Sequence, residues 1–128
     1  MEPGLSALLT HHVVESDLAT HWQNAIPVLA TPVLLWLSEI ACMKVIEEHM
    51  DEDQMSVGVG HNSEHLAPTP IHFTVTVQAT LKDIQGNRLV FGVEGHDSRD
   101  LIFKGIHVRQ IVDKKRFMAK VNHKVSNG

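Results

Sequence analysis

Residues 31–43 read Thr31-Pro32-Val33-Leu34-Leu35-Trp36-Leu37-Ser38-Glu39-Ile40-Ala41-Cys42-Met43. Thr31 offers a side-chain oxygen suited to a helix N-cap, and Pro32 suits the first helical position, where its missing N–H does no harm. A helix is predicted to start here. Over residues 33–43 it is apolar on nearly every side, which describes a helix wrapped by other structure rather than one lying on a surface. Its last turn, 44–50, becomes polar, and Asp51-Glu52-Asp53 ends it. Between Asp17 and Lys44 the sole Asp, Glu, Lys or Arg is Glu39, midway along this helix. An ionised carboxylate away from water is costly unless it is paired or protonated. Two readings follow: Glu39 is kept for chemistry, or it sits at a helix edge, reaching solvent or capping a buried hydrogen bond.

On the N-terminal side, residues 7–14 suit a short first strand. Glu15-Ser16-Asp17 gives turn or cap chemistry before residues 18–23, and a linker holding Pro27 follows. On the C-terminal side the pattern changes to period two. Met55, Val57 and Val59 alternate with Ser56, Gly58 and Gly60, and residues 71–82 alternate apolar with polar side chains throughout. Gln85-Gly86-Asn87 and Asp97-Ser98-Arg99-Asp100 turn the chain between this strand and those at 89–94 and 101–112. One strand, one long helix and about four antiparallel strands bury that helix only if the sheet curls around it, an α+β arrangement. The unpaired edges of such a sheet favour edge-to-edge association, so a homodimer is expected.

Composition narrows the function classes. With 128 residues, 43% hydrophobic and 20% charged, the chain is expected to form a single domain over 1–128, with a core at about 13–117 and a basic tail at 113–128. Cys42 is the single cysteine, so no internal disulfide can form. The first residues lack the basic start and unbroken apolar run of a signal peptide, which makes a reducing cytoplasm the expected location. The longest apolar-rich stretch, 25–43, is interrupted by Pro27, Thr31, Pro32, Ser38 and Glu39, so no membrane span or membrane partner is expected. A net charge of −4 with ten histidines argues against nucleic acid. No Lys or Arg precedes Lys44, whereas Lys114, Lys115, Arg116, Lys120 and Lys124 crowd the end. That tail reads either as a solvated terminal helix or as a contact for phosphates.

Several residues carry potential chemistry, each beside a structural explanation. His65 follows a strand and precedes Leu66-Ala67-Pro68-Thr69-Pro70, a stiff turn that would fix an imidazole, though it is one histidine of ten. Gly58 lies in a strand, where glycine either admits a ligand or marks a bulge. Thr31 is explained as an N-cap, yet its hydroxyl would also stand where backbone N–H groups can stabilise an oxyanion. Arg109 alternates with His107 and Ile111 on the last strand, as a sheet-face cation or a binder of carboxylate or phosphate. A metal site is not expected: His61 and His65 are four apart but on a period-two segment, and His11 and His12 are merely adjacent. No G-x-S-x-G elbow supports a Ser/His/Asp hydrolase.

Taken in order, Leu29-Ala30-Thr31-Pro32, Glu39, Ser56-Val57-Gly58-Val59, residues 65–70, Leu89-Val90-Phe91 with Glu94-Gly95-His96-Asp97, and Gly105-Ile106-His107-Val108-Arg109 resemble the fluoroacetyl-CoA thioesterase-like family of hotdog proteins, over about 13–117. The resemblance implies a hotdog fold, a curved antiparallel sheet wrapped around one long central helix. It also implies hydrolysis of a small acyl-CoA thioester to free acid and CoA, with no cofactor beyond the CoA of the substrate. By position it carries the family's catalytic threonine, glutamate and histidine onto Thr31, Glu39 and His65. Its substrate-binding glycine and arginine fall on Gly58 and Arg109. Where the family has aromatic lid residues before the helix, this sequence has Trp22 and the small Ala25. A thiolate leaving group with a pKa of about 8 to 9 departs with little help from an acid. Glu39 would then serve as base or nucleophile, with His65 orienting or sharing the proton and Thr31 positioning substrate or water. An enoyl-CoA hydratase or dehydratase and a non-catalytic acyl-CoA-binding module are the competing readings of the same scaffold. Thr31 and Glu39 lie eight residues apart, about 12 Å along an ideal helix and too far for a direct hydrogen bond, so either Thr31 lies in a loop that folds back or the site combines residues of two subunits; the resemblance to hotdog proteins implies the second.

Overall fold

In the computed structural model, which describes residues 1–127, strand β1 (Ser6–His12) is followed by helix α1 (Thr31–Ile46). Strands β2 (Gln54–His65), β3 (Thr74–Gln85), β4 (Arg88–His96) and β5 (Leu101–Asp113) come next, and helix α2 (Lys114–Asn127) closes the chain. All pairings are antiparallel and the sheet order is β1-β3-β4-β5-β2, so β1 and β2 are the edges. The expected alternation is present: Val75, Val77, Ala79 and Leu81 of β3 and Leu89, Phe91 and Val93 of β4 are buried against α1. Burying each such side chain contributes roughly 1.5–3 kcal/mol, which makes this face the main reason the sheet closes over the helix.

Three details differ from the sequence-based expectations. β2 includes His65, which the sequence placed just after a strand, because its pairing with β5 continues to His65 opposite Phe103. β3 begins at Thr74, not 71. Residues before it are drawn back to the end of β1, with Val13 N–H donating to the Phe73 carbonyl and His72 N–H to the Val13 carbonyl. Helix α1 is not covered on every side: Val33, Leu34, Leu37, Ala41, Cys42, Val45 and Ile46 are buried, but Trp36 is 52% and Met43 40% exposed. A five-stranded sheet from one chain curls past one flank of the helix and leaves the other open.

The start of α1 also corrects an expectation. Ala30, extended at φ −75° and ψ 140°, holds the cap position, Thr31 is already helical, and no side chain caps the turn. Pro32 therefore sits at the second helical residue, where it is equally harmless. The Thr31 hydroxyl is left free for another partner. At the far end, α2 has no buried residue, and Phe117 alone is half-buried, in keeping with the solvated reading of the basic tail. No helix among the described residues is long and apolar enough to cross a membrane.

Candidate active site

The Thr31 hydroxyl and His65 Nδ1 share a hydrogen bond of 2.7 Å. Two elements bring them together: Thr31 opens α1, and His65 is the last residue of β2, just before the turn through Pro68 and Pro70. That turn is pinned from both sides. Leu29 N–H donates to the Thr69 carbonyl, and the buried Thr69 hydroxyl donates to Asp97 Oδ2 at 2.9 Å. With Nδ1 held by Thr31, Nε2 of His65 is buried and without a hydrogen-bond partner, the nitrogen left for a reacting molecule. Burial pulls the imidazole below its ordinary pKa, partly offset by the backbone at Ala67. It therefore stays neutral at neutral pH.

Above this pair lies a cavity of about 300 Å³ whose wall includes Trp22, Ile26 and Val28, with Thr31 and His65 at its base. The wall is a loop closed at its root by an isolated bridge between Leu18 and Leu29 and by Ala19 N–H donating to the Val28 carbonyl. Trp22 stands here as the aromatic of that loop, 52% exposed. A larger cleft of about 420 Å³ crosses the outer face of the sheet, lined by Gln78, Thr80, Lys82, Glu94 and Lys104. It holds no imidazole and no hydroxyl–base pair, so the smaller cavity is the better place for chemistry.

Glu39 has a different set of neighbours. Its side chain is 39% exposed, and its Oε1 lies 3.6 Å from Arg109 Nη1 and 3.9 Å from His107 Nε2. Glu39, the sole Asp, Glu, Lys or Arg of its stretch, thus meets its charged partner from β5, distant in sequence. Arg109 is buried, with Nε donating to the Ser56 hydroxyl at 2.8 Å and Nη2 to the Ser56 carbonyl at 3.0 Å. Its Nη1 donates to His107 Nε2 at 3.0 Å. An arginine can only donate, so His107 carries its proton on Nδ1, which donates to the Gly60 carbonyl at 3.0 Å. Burial, then the neighbouring His61 and Arg109, lower the His107 pKa to about 4 against the Gly60 hydrogen bond. His107 is a neutral spacer that aims a permanent cation at Glu39.

Gly58 lies at a bulge, and the group that comes close to it is the Glu39 side chain. The register of β2 against β5 shifts between Gly58 and Gly60, a bulge that turns Val59 outward to 48% exposure. A Cβ on Gly58 would collide with Glu39 Oε1 and press on His107 Cε1 at 3.2 Å. The glycine is what lets the carboxylate lie against the strand. Behind it, burial raises the Cys42 thiol to about 12, so Cys42 is inert filling and no nucleophile.

His61 stacks on His107 with ring centroids 4.1 Å apart, and Glu39, His61 and His107 each bring a potential ligand atom within 4.8 Å of the others. The chemistry does not suit a cation. Both His107 nitrogens are committed, and a fixed guanidinium already stands beside the carboxylate. Ser56, His61 and His107 are the residues the sequence did not mark as part of a site. One signal was present: His107 and Arg109 are two apart on a strand and so share a face.

A match to the family model for the fluoroacetyl-CoA-specific thioesterase FlK extends over residues 13–115. The chain belongs to that family. A fluoroacetyl-CoA thioesterase from Streptantibioticus cattleyicolor is 36% identical over 101 residues, 79% of this chain and 73% of that protein. A solved structure of fluoroacetyl-CoA thioesterase FlK superposes with a TM-score of 0.92 at 30% identity, covering 97% of each chain. A thioesterase superfamily member from Thermus thermophilus has a TM-score of 0.93 at 24% identity, covering 98% of this chain and 94% of that one, a likeness of fold. The sheet and helix are thus a hotdog fold, as the sequence implied.

Proposed function

We propose that this protein hydrolyses a small acyl-CoA thioester to the free acid and CoA, working in the cytoplasm as a homodimer. The observation that carries the reading is the Thr31–His65 hydrogen bond at the base of a 300 Å³ cavity. Family membership supplies the reaction class, because the relatives are thioesterases. The walls of Trp22, Ile26 and Val28 leave room for a short acyl group and little more. A single buried cysteine suits a reducing compartment.

In this mechanism the thioester carbonyl sits over Thr31 and His65: with the Thr31 hydroxyl donating to Nδ1 of the neutral ring, the proton is on Nε2, which donates to the carbonyl oxygen. Glu39 takes a proton from water, the hydroxide oxygen bonds to the carbonyl carbon, and the carbon–sulfur bond breaks with the electron pair leaving on the thiolate. In the competing form Glu39 itself attacks and water cleaves the resulting anhydride. Arg109 aims the carboxylate through their 3.6 Å contact, and Gly58 gives it room. Because Glu39 and the Thr31–His65 pair have separate neighbours within one chain, each complete site takes Glu39 from one subunit and Thr31 and His65 from the other. The open edge β2 and the exposed Val59 and Trp36 support such an assembly.

The test is release of free thiol from a panel of acyl-CoA thioesters. Glu39→Gln is expected to slow release by at least about a hundredfold, the scale of losing a general base. Loss of the conjugated absorbance of an enoyl-CoA without thiol release would instead assign a hydratase. Thermal stabilisation by acyl-CoA with no product would assign a binding module.

A further inference from the structure

We infer that α2 binds the phosphates of the CoA carrier, and that it serves the site of the partner subunit. The inference rests on the acyl-CoA reading and on the dimer proposed above. Five of the eleven Lys and Arg residues and none of the fifteen Asp and Glu residues fall in α2, leaving six cations against fifteen acids in residues 1–113. A body with that excess of acid repels a ligand carrying a diphosphate and a further phosphate, and α2 is the one concentrated region of opposite sign.

The arrangement within α2 is unfavourable for the helix itself. Arg116, Lys120 and Lys124 are four apart, so they form one row along the same side, and like charges at this spacing repel. Among the described residues none of the five cations forms an ion pair. Two of them, Arg116 and Lys120, line a groove of about 200 Å³ with Phe117, Asn87 and Ile111. The start of the helix is fixed in place: Arg116 N–H donates to Asp113 Oδ1 at 2.9 Å, and Lys114 N–H to the Asp53 carbonyl at 2.9 Å. The row is therefore presented in a defined direction, with Asp113 the one carboxylate among the residues that line its groove.

Topology says which site it serves. Asp113 pairs with Gln54, so α2 leaves the sheet where β2 begins, whereas His65 ends β2. Eleven strand residues separate the two ends, about 36 Å. Antiparallel pairing of β2 with its copy about a two-fold axis reverses this, setting the Gln54 end of one subunit and its α2 beside the His65 end of the other. The pantetheine arm holds the phosphates well away from the sulfur. A phosphate-binding element outside the acyl cavity, contributed by the partner, is what such a substrate requires.

The experiment compares one acyl group on two carriers, CoA and N-acetylcysteamine, whose thioester has the same reacting atoms and no phosphate. In the triple variant Arg116→Gln, Lys120→Gln, Lys124→Gln, glutamine keeps helix propensity high, and circular dichroism confirms that the helix persists. The KM for the acyl-CoA is expected to rise at least about tenfold, on the scale of losing charge-assisted contacts, while the N-acetylcysteamine thioester stays within about twofold. Arg116→Lys alone, which keeps the charge, stays near wild type for both carriers. An equal rise for both carriers, or none for CoA, overturns the inference. Calorimetry with free CoA and with pantetheine gives an independent reading: only CoA should lose affinity in the triple variant. Should the wild type release no thiol from either carrier, the thioesterase reading falls and this calorimetric comparison still decides the role of α2.

Discussion

Gly58 is a residue whose smallest change should reach the Glu39 carboxylate directly. A methyl group there occupies the position of Glu39 Oε1, so Gly58→Ala must push the carboxylate away from Arg109. We expect kcat for thiol release to fall by about tenfold or more, since displacement of a reacting group by an ångström costs up to a hundredfold. Because the collision of this edge-strand position is with the partly exposed end of the Glu39 side chain on α1, the thermal midpoint should move by only a few degrees, the equivalent of about 1 kcal/mol. His107 makes a pH prediction. Its folded pKa of about 4 lies below the ordinary 6.5, so protons bind the unfolded chain first. Its contribution to stability is complete above pH 6.5 and is lost as pH falls through about 4. The slope is on the order of 1 kcal/mol per pH unit for that proton. Urea midpoints measured from pH 7 to pH 4 should fall less steeply in His107→Gln than in wild type. Parallel curves would show that the ring takes up its proton in the folded state as readily as in the unfolded one.

At the scale of elements, the loop between Leu18 and Leu29 walls the cavity proposed to take the acyl group. It is tied at its root and carries Trp22 and Ile26 into the cavity wall. Trp22→Ala is expected to shift the preference toward longer acyl chains: kcat/KM for a butyryl thioester should rise relative to the acetyl thioester by about tenfold, the value of one or two methylenes in an apolar pocket. An unchanged chain-length profile would remove Trp22 from the specificity wall. Helix α1 plays a different part. Its buried flank anchors it in the sheet, and that rigidity allows Thr31 at its start and Glu39 two turns on to be held in fixed directions. The exposed flank with Trp36 and Met43 is where the elements of one chain stop providing cover.

At the scale of the whole molecule, the proposed shared site makes a prediction that no single-chain site can satisfy. Glu39→Gln and His65→Ala subunits, each inactive alone, should regain about a quarter of wild-type activity when unfolded together and refolded, because half the dimers are mixed and each mixed dimer has one intact site. If the mixture stays as inactive as its components, Glu39 and His65 of one chain work together. Size measurement by light scattering should return twice the 14.3 kDa of the chain.

The period-two alternation of residues 71–82, the apolar helix opened by Thr31-Pro32 and the turn residues at 85–87 and 97–100 were enough to place α1, β3, β4 and β5 and their order. These features are local, because secondary structure and inward-facing residues follow from side-chain spacing along the chain. Thr31, Glu39 and His65 stood out through resemblance, and Glu39 also through its isolation among apolar neighbours. Sequence spacing held no sign of what each would touch. That Thr31 turns from the helix cap to His65, that Glu39 faces Arg109, and that His107 is neutral between Gly60 and Arg109 depend on β2 lying beside β5 under α1. Contacts between residues thirty to seventy positions apart are set by strand order and register, and a one-residue slip would send each of these side chains to the opposite face. Local pattern therefore determined the elements of this protein, and packing in three dimensions decided which of its polar groups meet.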